Sequence, residues 1–89
     1  MADPIRVLLA DDHPLVRAGI RAAVWAETDV ALIGEATDGN QAQHMCLELQ
    51  PDVLLLDLNM LVRLRMRPAE VYSISPWTKS VKVVYHTTN

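Results

Sequence analysis

The chain holds one cysteine, Cys46, which excludes an internal disulfide and any metal site built from a cysteine cluster. Its apolar neighbours at helical spacing make Cys46 a core residue by expectation. There are three glycines, Gly19, Gly34 and Gly39, and none belongs to a glycine-rich phosphate loop ending in Lys-Ser or Lys-Thr, so a P-loop nucleotide site is excluded too. No apolar run approaches the length that crosses a bilayer, and the Met-Ala-Asp-Pro start has neither the basic residues nor the apolar stretch of a signal peptide. A cytoplasmic chain with no membrane span is expected. What is present is 89 residues, 51% hydrophobic and 21% charged, enough for one small globular core and no second functional domain.

Charge is unevenly spread. Residues 1–60 carry three arginines against ten acids, whereas residues 61–89 carry five Lys or Arg against the single acid Glu70. The change at Met60 coincides with a break in the hydrophobic pattern, which divides the chain into a regular part, 1–60, and a divergent tail, 61–89.

Within the regular part, Ile5 to Ala10 is a short apolar run rich in β-formers that stops at Asp11 and Asp12. Pro14 then suits the first turn of a helix, and Val16, Ile20, Ala23 and Val24 repeat at helical spacing to about Glu27. Val30 to Glu35 reads as a second strand, and Thr37-Asp38-Gly39-Asn40 supplies turn and N-cap chemistry. Ala42, Met45, Cys46 and Leu49 form the stripe of a second helix closed by Gln50-Pro51. Val53 to Leu56 is a third buried strand that delivers Asp57 at its carboxyl end. Strands apolar on both faces, alternating with helices, predict an α/β parallel sheet. In the tail, Val62, Leu64 and Met66 alternate with Arg63, Arg65 and Arg67, a pattern closer to a half-exposed strand than to a helix, although helical spacing through Leu61, Leu64 and Arg65 leaves both open. Pro68 and Pro76 interrupt anything longer, and Val81 to His86 reads as a fourth strand.

In open parallel sheets, ligands bind beyond the carboxyl ends of the strands, and Asp11, Asp12 and Asp57 all fall there. Converging carboxylates repel one another unless a cation compensates, and Mg²⁺, which takes one or two carboxylates plus waters and phosphate oxygens, fits that need. A carboxylate is also a nucleophile toward phosphorus, and such transfer depends on positioning and charge neutralisation. Asp11-Asp12 alone would read more simply as a pair favoured at a helix start; Asp57 on the neighbouring strand reverses that preference.

The segments VLLADDHPLVRAGI, EATDG and PDVLLLDLNM resemble the receiver domains of bacterial two-component response regulators, in particular those of transcription factors with a LuxR-type helix-turn-helix. The resemblance covers about residues 4–60. It implies a flavodoxin-like (CheY-like) doubly wound sheet, here incomplete, with strands in the order 2-1-3-4 and the fifth missing. By position it implies Asp57 as phosphoacceptor, Asp12 as main Mg²⁺ ligand, Asp11 as a water-mediated ligand, and Asn59 as donor of a backbone carbonyl to the metal. Thr87 stands where the family has a hydroxyl that contacts the phosphoryl group. A histidine kinase or a small phosphodonor is the implied partner, and control of transcription by phosphorelay the implied output.

Two departures accompany the likeness. Leu61-Val62 replaces the family's Pro and nearby Gly, and the lysine of the fifth strand is missing, since neither Lys79 nor Lys82 occupies its place. An uncovered sheet face and an edge fourth strand predict self-association. The competing expectation is a degenerate receiver that serves, unphosphorylated, as a binding or dimerisation module. His13 beside the acid pair is expected to be a surface residue, His44 and His86 ordinary packed or exposed positions, and the arginines from Arg63 to Arg67 a solvated face without direct DNA contact.

Overall fold

The computed structural model describes residues 3–67 and 81–87. Pro68 and Pro76, with the rest of the tail between the two described segments, lie outside them. Seven elements follow in order: β1 (Ile5–Ala10), α1 (Pro14–Trp25), β2 (Val30–Ala36), α2 (Gly39–Leu49), β3 (Val53–Asp57), α3 (Leu58–Arg63) and β4 (Lys82–His86). The four strands form one sheet in the order β2-β1-β3-β4, and every pairing is parallel. This is the expected incomplete doubly wound arrangement, with the fourth strand one residue shorter at its start than the sequence suggested.

Alternation along the strands divides the core between two faces. Leu8 and Ala10 of β1 and Leu54 and Leu56 of β3 are fully buried in one cluster with Ala42 and Cys46 of α2 and Met60 and Leu61 of α3. Burial also pushes the Cys46 thiol up to about 11, so it stays protonated as a core group. Gly34 lets α2 approach: a Cβ there would meet Met45 Cε at 2.6 Å and Leu49 Cδ1 at 3.1 Å. The opposite face is thinly covered. Its helix, α1, contributes no buried residue, and Leu15 and Trp25 are 87% and 88% exposed.

The helix ends are built as the local sequence requires. Asp38 caps α2 by accepting from Gln41 N–H at 2.7 Å, while Gln41 Oε1 accepts in return from Thr37 N–H at 2.7 Å. At the other end Gln50 turns left-handed, φ 50°, ahead of Pro51. There Arg6 donates to the terminal carbonyls of Leu49 and Gln50, both at 2.7 Å, which ties α2 to the start of β1.

The segment after Asp57 is helical, not extended. Asp57 caps α3 by accepting from Asn59 N–H, and Met60 and Leu61 turn into the core. Burial of this adjacent pair, together with the cap, outweighs the alternation of Val62, Leu64 and Met66 with arginines. No helix among the described residues is long and apolar enough to cross a membrane.

Candidate acidic site at the strand ends

β1 and β3 are adjacent and parallel, with Ala10 opposite Leu56, so both chains leave the sheet at the same rim. Asp11 and Asp57 stand there, fully buried. Each uses one carboxylate oxygen to fix its own backbone: Asp11 Oδ1 accepts from His13 N–H at 2.7 Å, and Asp57 Oδ1 from Asn59 N–H at 3.0 Å. These matched turns leave the second oxygen of each acid turned toward a shared pocket. Asp12 completes the group, and one ligand atom from each of Asp11, Asp12, His13 and Asp57 lies within 4.8 Å of all the others.

Nitrogen-bearing side chains close around this negative charge. His13 Nδ1 lies 3.2 Å from Asp11 Oδ1, 3.3 Å from Asp12 Oδ1 and 3.7 Å from Asp57 Oδ2. Arg63 forks onto Asp12, with Nε donating to Oδ2 at 3.1 Å and Nη2 to Oδ1, and the same Nη2 is 3.5 Å from Asp57 Oδ2. The guanidinium hydrogen bond holds the Asp12 carboxyl below its ordinary value, against a smaller opposing push from burial. His86 reaches the pocket from β4, where parallel pairing sets it opposite Asp57. Its Nε2 is 3.6 Å from Asp11 Oδ2, and both of these atoms are buried without a hydrogen-bond partner among the described residues.

The structure thus brings Asp11, Asp12 and Asp57 together and sets the Asn59 backbone beside Asp57. Thr87 follows directly after β4 and is exposed. Three residues of the cluster were not singled out from the sequence. Arg63 belongs to the pocket, not to a solvated charge run, and its signal is the helix: Asn59 and Arg63 are one turn apart on the same face of α3. His86 and His13 belong to it as well, the first through strand register and the second through the tight turn that follows Asp11.

The donor set fits a hard divalent cation. Three carboxylates converge, one buried oxygen lacks a donor, and oxygen ligands of this kind suit Mg²⁺.

The chain matches the family described as response regulator receiver domain over residues 7–64. It is 52% identical over 56 residues to the transcriptional regulatory protein LiaR of Bacillus subtilis, covering 63% of this chain and 26% of that protein. It is 41% identical over 58 residues to the nitrate/nitrite response regulator NarL of Escherichia coli, covering 65% of this chain and 27% of NarL. The matched stretch is therefore about a quarter of the length of either relative. Among solved structures, a LuxR-family two-component response regulator from Aurantimonas sp. superposes with a TM-score of 0.79 at 27% identity, covering 98% of this chain and 61% of the other. The response regulator domain of Thermotoga maritima CheB does so with a TM-score of 0.78 at 26% identity, covering 94% of this chain and 60% of the other.

Proposed function

Because the chain belongs to the response regulator receiver family, we propose that it accepts a phosphoryl group on Asp57, with Mg²⁺ held mainly by Asp12, as the input step of a phosphorelay that controls transcription. The convergence of Asp11, Asp12 and Asp57 at one rim of the sheet is the observation that carries this reading. Asp57 is the acceptor because it ends a central strand and its Oδ1 is already fixed by Asn59 N–H, which leaves Oδ2 facing the pocket. Asp12, 30% exposed, is the acid a hydrated ion reaches first, and buried Asp11 orients water on that ion. The carbonyl of Asn59 is assigned as a further ligand and the hydroxyl of Thr87 as a contact for the phosphoryl oxygens. Bound Mg²⁺ supplies the charge that neutralises the carboxylates and the phosphoryl oxygens together.

A histidine kinase or a small acyl phosphate is the donor in this reading. The chemistry is one acceptance per molecule, a signalling event and not turnover. Incubation with Mg²⁺ and acetyl phosphate followed by intact-mass measurement tests it. A labile adduct of phosphoryl mass that is lost in Asp57→Asn is expected; no adduct with any donor leaves a receiver fold used as an unphosphorylated binding module.

The same reading includes homo-association and no direct contact with DNA. Leu15, Trp25, Val84 and Tyr85 leave apolar surface in water, and among the described residues no strand pairs with the outer edge of β4. Light scattering at tens of micromolar is expected to give more than the monomer mass, and a sharp monomer refutes association.

A further inference from the structure

The acidic pocket carries its own cation. Arg63 holds both oxygens of Asp12 in a fork, and its Nη2 is 3.5 Å from Asp57 Oδ2. A carboxylate held this way has one lone pair on each oxygen engaged and its charge compensated by the guanidinium, so an incoming ion must compete with Arg63 for it. We propose that Arg63 is a tethered competitor of the divalent cation at Asp12 which, once displaced, serves as a ligand for the phosphoryl oxygens on Asp57. This inference rests on the functional reading given above, and it concerns a residue that reading does not use.

The first half follows from mass action. The ion binds only the fraction of molecules in which Asp12 is released, so its apparent affinity falls by the factor with which Arg63 favours the paired state. Arg63 is 42% exposed and Asp12 30%, so the pair is a surface one, strengthened by bidentate geometry. Surface pairs of this kind correspond to about a two- to five-fold penalty on cation binding.

The second half follows from reach and charge. Arg63 closes a helix that begins directly after Asp57, and its head already lies between Asp12 and Asp57. When the ion takes Asp12, the guanidinium has a short path to any new anion on Asp57. A phosphoryl group brings about two negative charges and three acceptor oxygens, and a planar fork of N–H donors matches them. The exchange of partners keeps the pocket's charge compensated at each stage: Arg63 on Asp12 at rest, then the ion on Asp12 with Arg63 on the phosphoryl group.

The two halves predict opposite signs for one substitution, which a merely structural role does not produce. Mg²⁺ is titrated calorimetrically into the intact chain and into Arg63→Gln, and beryllofluoride, a phosphoryl mimic, is then titrated at saturating Mg²⁺. Removing Arg63 is expected to tighten Mg²⁺ alone by about two- to five-fold and to weaken beryllofluoride by a similar factor. Arg63→Lys, which keeps the charge and loses the fork, is expected between the two, and far-UV circular dichroism checks that each variant is folded. Unchanged or weaker Mg²⁺ binding in Arg63→Gln overturns the proposal, as does a loss of beryllofluoride binding with no gain in Mg²⁺ binding. Beryllofluoride binding that survives in Asp57→Asn, or Mg²⁺ binding in none of the proteins, overturns the functional reading itself, an outcome distinct from a wrong role for Arg63.

Discussion

Replacing Asp11 by Asn tests whether the pocket stores electrostatic repulsion that a cation relieves. Ligand atoms of Asp11 and Asp57 lie within 4.8 Å of each other, and both residues are fully buried. Two unit charges at that spacing repel by about 3.5 kcal/mol at an effective dielectric constant of about 20. Arg63, 3.5 Å from Asp57 Oδ2, offsets part of this, leaving a net gain of about 1–2 kcal/mol when one charge is removed. Asn is nearly isosteric, and its carbonyl oxygen keeps the bond from His13 N–H. Its new amide group falls where Asp11 Oδ2 has no hydrogen-bond partner and faces His86 Nε2 at 3.6 Å. In EDTA the variant is therefore expected to melt about 4–16 °C above the parent, at about 4–8 °C per kcal/mol for a domain of this size. In Mg²⁺ the gap narrows: the parent gains about 2.7 kcal/mol at a hundred-fold excess of ion over Kd, and the variant, which keeps Asp12 and Asp57 but has one charge fewer, gains less. Thermal unfolding followed by circular dichroism in the two buffers measures both shifts. An Asp11→Asn protein that melts below the parent in EDTA, or that shows the same Mg²⁺ shift, refutes the reasoning.

Leu54 is fully buried in the cluster shared by the sheet, α2 and α3, so Leu54→Ala is expected to cost about 2–5 kcal/mol, enough to unfold much of a chain this small at room temperature; loss of the far-UV helical signal at 25 °C checks it. Glu35 is held below its ordinary value of 4.5 chiefly by the hydrogen bond from Arg21, with Nε to Oε2 at 2.6 Å. A depressed carboxyl contributes stability that is whole above the unfolded pKa and lost as pH falls through the lower folded value. Glu35→Gln should therefore lower the urea midpoint at pH 6 by about 0.2–0.5 M and leave it unchanged near pH 2; an equal deficit at both values contradicts the assignment.

The regular part of the chain was legible because each of its signals is local. Ile5–Ala10, Val30–Ala36 and Val53–Asp57 are mostly apolar runs of strand length, and the helices between them carry their own stripes and turn residues. The acid pair and Asp57 followed from the rule that functional groups in parallel sheets stand beyond the strand ends. Residues 58–63 were not legible in this way. Their helix depends on a cap from Asp57 and on burial of Met60 and Leu61, which only the assembled sheet provides. Missing that helix hid Arg63, since its position under Asn59 exists only at helical spacing. His86 was hidden for a similar reason: its place opposite Asp57 is a matter of register between strands 25 residues apart in the chain, and periodicity within one strand does not encode register.

The nitrogen-bearing side chains around the acids come from three different segments: His13 from the start of α1, Arg63 from the end of α3 and His86 from the end of β4. The acids themselves are fixed by backbone bonds at the ends of two central strands and have little freedom to move. A change in pocket charge therefore acts mainly on the segments that bring these side chains. α1 has no buried residue, and Arg63 is a half-exposed side chain at the end of a helix anchored by Met60 and Leu61, so α1 as a whole and the Arg63 head alone respond to small differences in free energy. The sheet and α2 hold most of the fully buried side chains and stay in place. On the function proposed above, the first exchange of partners falls at α3, because Arg63 hydrogen-bonds both oxygens of Asp12. On that proposal the exchange begins at residues 58–63, a helix that the sequence pattern left open and that its Asp57 cap and the burial of Met60 and Leu61 decide.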